Sequence, residues 1–290
     1  MIDQQFLVEK LSSFKTLPVV ANRLLAVISK PDSDASDIAR VIGMDLALTA
    51  NVLKAANSAY YGFSKPVASL TEATFRLGLS WVTQMAISSL VYANVNRPAH
   101  GYGQSAQDIW RHSAAVAVTT ENLCKLLHLK GSNAMFTAAL IHDIGKLAIE
   151  EQVATEMSQI RDHIEQQRES FEEAEHAVLG FDHAEIGAMV AQRWNFPVEL
   201  VQAVRWHHDP NRAENGQQAV DVIHVADALC IMQGIGLGCD GMLYRPCADS
   251  LQRLNVTNAI IETATSQMLD SLSEIENIFS EAPATVGAGR

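Results

Sequence analysis

The sequence predicts an all-α protein made of two helical bundles. Three observations predict it. Apolar residues recur at helical spacing through nearly the whole chain, no run alternates with period two for long enough to make a sheet, and a polar, breaker-rich stretch, Asn94-Val95-Asn96-Arg97-Pro98-Ala99-His100-Gly101-Tyr102-Gly103, divides the chain. A length of 290 residues also exceeds the roughly 150 that one domain usually holds. We place an N-terminal bundle over residues 1–95, packed on a C-terminal bundle over 105–281, with a frayed tail over 282–290.

Caps and breakers justify each element. Leu17-Pro18 opens a first helix whose apolar positions are Val20, Leu24, Leu25, Val27 and Ile28. Pro31-Asp32-Ser33-Asp34 ends it and caps a second, with Ile38, Val41 and Ile42 inward. Asp45 to Ala56 forms a third, stopped by the turn residues of Asn57 to Gly62. Ser69 caps a helix to Leu77, Gly78 closes it, and Ser80 starts a longer one toward Val95. Beyond the divide, Ser105 begins a helix to the neighbourhood of Leu127, Asn133 to Ile149 carries an apolar run, and Glu150 to Leu179 reads as amphipathic helices with an acidic outer face. Asp182 caps His183 to Trp194, and Pro197 opens the helix that ends in His207-His208. Gln217 to Met232 makes another helix, Gly234 to Gly241 a loop, and Thr257 to Glu281 the last helix.

Composition narrows the function classes. Hydrophobic residues make up 48% and charged residues 19%, an ordinary globular balance, and every apolar run is broken short of the roughly 20 residues that span a bilayer. Met1-Ile2-Asp3-Gln4-Gln5 opens no secretory signal, so the expected location is the cytoplasm, with no membrane partner. Cys124, Cys230, Cys239 and Cys247 form no C-x-x-C pair and are expected as reduced, mostly buried thiols. The net charge of −12 is uneven: residues 1–100 hold 9 Lys and Arg against 7 Asp and Glu, and the remainder 12 against 26. That balance argues against a nucleic-acid duplex as partner, because counterion release needs clustered Lys and Arg. It suits a site that collects metal cations.

The chemistry centres on Leu140-Ile141-His142-Asp143-Ile144-Gly145-Lys146. Neighbours on a helix diverge by about 100°, so His142 and Asp143 serve one purpose only if something between them accepts both. A metal centre would: His142 binds one ion, Asp143 bridges it to a second, and Lys146, a turn on, holds an anion above them. Other residues fit the same purpose. Asp108 and His112 lie one turn apart, His183 opens its helix, His207-His208 closes the next, and Asp227 sits inside the apolar run Val220 to Leu229. A carboxylate among apolar neighbours costs several kcal/mol unless a cation or strong donors meet it. Each residue also has an ordinary reading: His183 beside its cap, His207-His208 against a helix C-terminus, Asp108 as solvated surface. His100, His128, His163, His176 and His224 have no evident role.

The ordered set His112, His142-Asp143, His183, His207-His208 and Asp227 resembles the metal-dependent HD phosphohydrolase superfamily, with Lys146 in the position of the lysine of the HD-GYP phosphodiesterases. The N-terminal half narrows the resemblance. Leu17-Pro18, the stretch Ile42 to Thr49, Ala56-Asn57-Ser58-Ala59-Tyr60 and Thr71 to Leu79 are similar to the HDOD domain, the HD-related output domain of bacterial signalling proteins. Trp110-Arg111-His112-Ser113, Phe181 to Gly187 and Trp194-Asn195-Phe196-Pro197 are similar to it too. The resemblance implies an HD-type bundle for the C-terminal half. It also implies a dinuclear Fe or Mn centre, with Zn as a further candidate. The first ion would be held by His112, His142, Asp143 and Asp227, the second by Asp143, His183, His207 and His208, and Asp108 could extend the site.

Two functions follow from the resemblance. The HDOD family implies a regulatory output module that acts through a signalling protein partner, with its input from another chain or a ligand. The complete ligand set implies instead a phosphohydrolase acting on a phosphate or nucleotide ligand, with Asp143 and Lys146 as its catalytic residues. Asp209-Pro210-Asn211 follows the histidine pair and no Gly-Tyr-Pro does, so the likeness to cyclic-di-GMP phosphodiesterases stops at the metal residues. The signalling module is the preferred expectation.

Overall fold

The computed structural model describes residues 19–28, 34–58, 61–95, 102, 105–236 and 246–280. Among them every regular element is helical, as the sequence predicts. Leu17-Pro18, the Pro31 breaker, Cys239, most of the dividing stretch after Val95 and the tail over 282–290 lie outside the described residues.

The N-terminal helices are α1 (Val19–Ile28), α2 (Ala35–Ile42), α3 (Leu46–Ala56), α4 (Leu70–Leu77) and α5 (Leu79–Val95). Their starts are fixed by side chains that satisfy otherwise orphaned backbone N–H groups. Asp34 and Asp37 form a capping box, Asp45 accepts the Leu48 N–H at 2.9 Å, and Ser69 accepts that of Glu72 at 3.1 Å. Ile38, Val41 and Ile42 are buried as their spacing predicts.

The C-terminal helices are α6 (Ala106–Leu126), α7 (Ser132–Ile141), α8 (Ile144–Ala148), α9 (Glu150–Gln167), α10 (Phe171–Leu179) and α11 (His183–Arg193). Then come α12 (Val198–Trp206), α13 (Gln217–Met232), α14 (Ala248–Arg253) and α15 (Asn258–Ser280). Residues 112–120 of α6 and 219–230 of α13 are buried on every side, and a helix buried all round belongs at the centre of its bundle. The two pack together, with α7 and α15 against α6 and α8 against α11.

One apolar core runs from Leu24, Ile42 and Val52 through Ile87 to Val116, Leu140, Val204 and Ile223. A hydrogen bond of 2.6 Å from Ser80 Oγ to Asn133 Oδ1 crosses between α5 and α7. A smaller core under α9 and α10 gathers Tyr102, Val153, Ile160, Phe171, Leu179 and Ile186. The short helix α14 is absent from the sequence reading. It is held by Asp221 of α13, which accepts Arg253 Nε at 2.8 Å, Arg253 Nη2 at 2.6 Å and the Ser250 hydroxyl at 2.6 Å. The acidic outer face expected for Glu150 to Leu179 fails at Glu175, which is wholly buried for a reason found at the site below. Among the described residues no helix is long and apolar enough to cross a membrane.

Candidate metal centre

The central motif is not one continuous helix. Helix α7 stops at Ile141, His142 and Asp143 form a turn, and α8 restarts at Ile144. The turn removes the divergence that a helix would impose, and His142 Nε2 and Asp143 Oδ2 lie 3.5 Å apart. Glycine lets α8 reach α11: a Cβ on Gly145 would overlap the His183 carbonyl oxygen.

Asp143 stands at the middle of the cluster. Its Oδ2 lies 3.7 Å from His112 Nε2, and its Oδ1 lies 3.3 Å from His183 Nε2 and 3.9 Å from His207 Nε2. Asp227 of α13 brings Oδ1 to 3.0 Å from His112 Nε2 and 3.9 Å from His142 Nε2. His208 joins through Nε2, 2.9 Å from His183 Nε2, two nitrogens that can bond only through one proton shared between them. Two groups able to hold a cation therefore share Asp143, one with His112 and His142, the other with His183, His207 and His208.

Ring orientation shows what the cluster is built for. Nδ1 donates to Ile235 O at 3.1 Å from His112, to Ala139 O at 2.6 Å from His142 and to Val204 O at 2.7 Å from His207. His183 Nδ1 donates to the Glu175 carboxylate at 2.5 Å. Each bond turns the Nε2 of that ring toward the carboxylates, which is how metal-binding imidazoles are normally oriented by their outer partners. His142 Nε2, Asp143 Oδ1 and Asp227 Oδ2 are buried and have no hydrogen-bond partner among the described residues. Buried polar atoms without partners are costly, charged ones above all, and a cation among them would meet the need. The residues fit a metal.

Electrostatics favour the cation-binding forms of both carboxylates and of His142, His207 and His208, and set His183 apart. Burial would raise the Asp143 carboxyl, but Lys146 and the surrounding imidazoles outweigh it and hold it well below the usual range. Asp227 is likewise held low against burial, chiefly by His112. Burial, with repulsion from neighbouring imidazoles, depresses His207 and His208 strongly and His142 less. At His183 burial works in the same direction, yet the Glu175 carboxylate outweighs it and raises the ring to about 10.

His112, His142, Asp143, His183, His207, His208 and Asp227 are thus brought together. Lys146 reaches them as well, with Nζ 2.8 Å from Asp143 Oδ2, and its charge is favoured by Asp143 over the opposing effect of burial. Asp108 is not brought in: it is exposed and folds back as the capping partner of Ser105, accepting that residue's N–H at 2.9 Å. Glu175 is a site residue that the sequence reading missed. A signal was present, because Phe171, Glu175 and Leu179 recur every four residues on one face whose other members are apolar. His224 also has a role, donating from Nδ1 to the His207 carbonyl at 2.6 Å and accepting the Cys247 N–H at 2.7 Å. A cavity of about 450 Å³ reaches His208 from the surface, between Glu172, His176, Arg205, Trp206 and Arg212. A second, beside Asp143, holds about 10 Å³, room for one water at most.

A sequence profile of the HDOD domain matches residues 14–210, well over half of the chain. Among curated proteins, an uncharacterized protein of Treponema pallidum (strain Nichols) is 25% identical over 221 residues, covering 73% of this chain and 41% of its own length. The chain therefore spans about two fifths of that relative. Three solved structures share the fold. An HDOD domain protein of unknown function from Geobacter sulfurreducens is 21% identical with a TM-score of 0.66, covering 96% of this chain and 97% of that one. A Shewanella amazonensis SB2B protein provisionally assigned as a phosphohydrolase is 24% identical with a TM-score of 0.70, covering 95% and 98%. A Marinobacter aquaeolei VT8 protein provisionally assigned to signal transduction is 18% identical with a TM-score of 0.77, covering 97% of this chain and 62% of that one. The profile match extends from the N-terminal helices through the histidine pair that closes α12, and on that ground the chain belongs to the HDOD domain family.

Proposed function

We propose that this chain is a cytoplasmic signal-transduction output module built on a dinuclear divalent-metal centre. In this reading His112, His142, Asp143 and Asp227 hold one ion, and Asp143, His183, His207 and His208 the other. The observation that carries the metal centre is the orientation of four imidazoles, each with Nδ1 bonded outward and Nε2 directed at Asp143 or Asp227. Mixed imidazole and carboxylate donors suit Fe or Mn, and Zn is compatible by residue type. The helices up to residue 95 would present the partner surface and residues 105–281 the metals. Leu46 at 87% exposure and Phe75 at 90% are large apolar side chains that no fold requirement places in solvent.

A second reading, a metal-dependent phosphohydrolase for a phosphate or nucleotide ligand, is favoured by the cavity that ends at His208. A pair of divalent ions would there supply Lewis-acid polarisation of a phosphoryl oxygen. Lys146 would add positive charge beside Asp143, and the protein would keep bulk water from the buried side of the cluster. Metal analysis of anaerobically purified protein tests the shared premise: about two equivalents of Fe or Mn per chain are expected, and refusal of Fe, Mn and Zn at micromolar levels would overturn it. A hydrolysis panel on the loaded protein then separates the readings. The output module predicts no turnover that depends on Asp143.

A further inference from the structure

His183 differs from the other three oriented imidazoles in its outer partner. His112, His142 and His207 give their Nδ1 proton to main-chain carbonyls, whereas His183 gives it to a carboxylate, Glu175. The same Glu175 oxygen accepts the His183 backbone N–H at 3.0 Å, and its other oxygen accepts the Tyr102 hydroxyl at 2.5 Å. Glu175 is 0% exposed and Tyr102 is 4% exposed. A wholly buried carboxylate is costly unless its bonds repay the lost hydration. Among the described residues its bonds go to His183 and Tyr102.

We propose that Glu175 and Tyr102 are a positioning pair for the half of the cluster built from Asp143, His183, His207 and His208. Glu175 fixes the ring of His183 and enriches its electron density, and Tyr102 fixes Glu175. Tyr102 stands in the chain between α5 and α6, so the cation affinity of this half depends on a residue outside the helices that carry the cluster. The other half, with its carbonyl-bonded histidines, is independent of the pair. The inference rests on the metal-centre reading and adds to it a difference between the two halves. Loss of such an outer partner typically lowers metal affinity 10–100-fold, roughly.

The pair could instead serve folding alone, and the two roles separate on binding. Metal-free wild type, Glu175→Gln, Glu175→Asp and Tyr102→Phe are titrated with Mn²⁺ by calorimetry, with His208→Ala as the marker of this half. Tyr102→Phe keeps the ring against Phe171, 5.4 Å between centroids, and removes only the hydroxyl. The melting temperature of each metal-free protein is recorded alongside. The expected result is an affinity loss of roughly 10–100-fold in Glu175→Gln at the ion that His208→Ala removes, with the other ion unchanged. A smaller loss is expected in Tyr102→Phe, and partial recovery in Glu175→Asp. Wild-type affinity at both ions in Glu175→Gln and Tyr102→Phe overturns the proposal, whatever happens to melting, while the metal centre stands. If Glu175→Gln fails to fold, Tyr102→Phe and Glu175→Asp decide by the same criterion. Wild-type protein that takes up no ion overturns the metal-centre reading first and the proposal with it.

Discussion

Gly145 and His183 meet backbone to backbone, so closely that a Cβ on the glycine would overlap the histidine's carbonyl oxygen. This contact sets the spacing of α8 and α11, and with it the distance from Asp143 to His183. Gly145→Ala must push the two helices apart. Overpacking in a rigid core costs about 1–3 kcal/mol, and a backbone neighbour leaves little room for relief. We expect a stability loss at the upper end of that range in urea titrations, with metal content falling in the protein that remains folded.

Asp143 alone belongs to both groups of potential ligands, whereas His208 belongs to one. Asp143→Ala should therefore abolish metal uptake, and His208→Ala should remove about half of it, with helix content by circular dichroism retained in both. Elemental analysis is the check. Equal losses in the two variants would refute the shared-carboxylate arrangement.

Asp221 is 1% exposed and is met by Arg253, whose side chain is 35% exposed. Arg253→Ala strands the carboxylate with only hydroxyl and amide partners, and breaking a buried pair from one side is costly. We expect a loss of about 2–3 kcal/mol, below the full cost of a buried pair because the guanidinium is partly solvated. The double variant Asp221→Leu/Arg253→Ala should lose less than Arg253→Ala alone. A double variant as unstable as the sum of its parts would contradict this account.

Lys146 touches Asp143 but supplies no ligand atom. Lys146→Ala should keep its metal and, for an output module, its signalling. If turnover of a phosphodiester is detected, the same change should lower it sharply without metal loss. We expect no robust hydrolysis of cyclic di-GMP, and efficient turnover eliminated by Asp143→Ala would reverse the preference between the two functions.

Leu46 and Phe75 contribute little to the core, so Leu46→Ser and Phe75→Ser should change stability by less than about 0.5 kcal/mol. Their effect should fall on output, read with a reporter in cells. Unaltered signalling in the double variant would remove the N-terminal helices as the partner surface.

The helices were legible because their boundaries are written in local chemistry. Ser69 and Asp182 cap the helices assigned to them, Asp34 is the cap within the Pro31 to Asp34 breaker, and Asp45 and Ser105, read as the first residues of their helices, stand one position earlier as N-caps. The cluster's members were legible as residue types, yet two features were not. The turn at His142-Asp143 was hidden inside a continuous apolar run, where Gly145 was the one breaker nearby and is the residue that lets α8 approach α11. Glu175 was hidden by its neighbours Glu172 and Glu173, which make the segment look like a solvated acidic face although its four-residue spacing with Phe171 places it inward. Asp108 failed in the opposite way. Its spacing to His112 is right for a ligand, but at the third position of α6 it is claimed by the Ser105 cap.

The profile that marks the family closes at residue 210, whereas Asp227 and the Ile235 carbonyl that orients His112 lie downstream of it. A match over residues 14–210 therefore carries no information about the Asp227 carboxylate. A sister chain could keep every position by which the family is recognised and still lose half of its ion-holding capacity through one substitution in the helix that follows. Whether such a chain keeps all the carboxylates of the proposed centre is read from α13, beyond the segment that gives it its family.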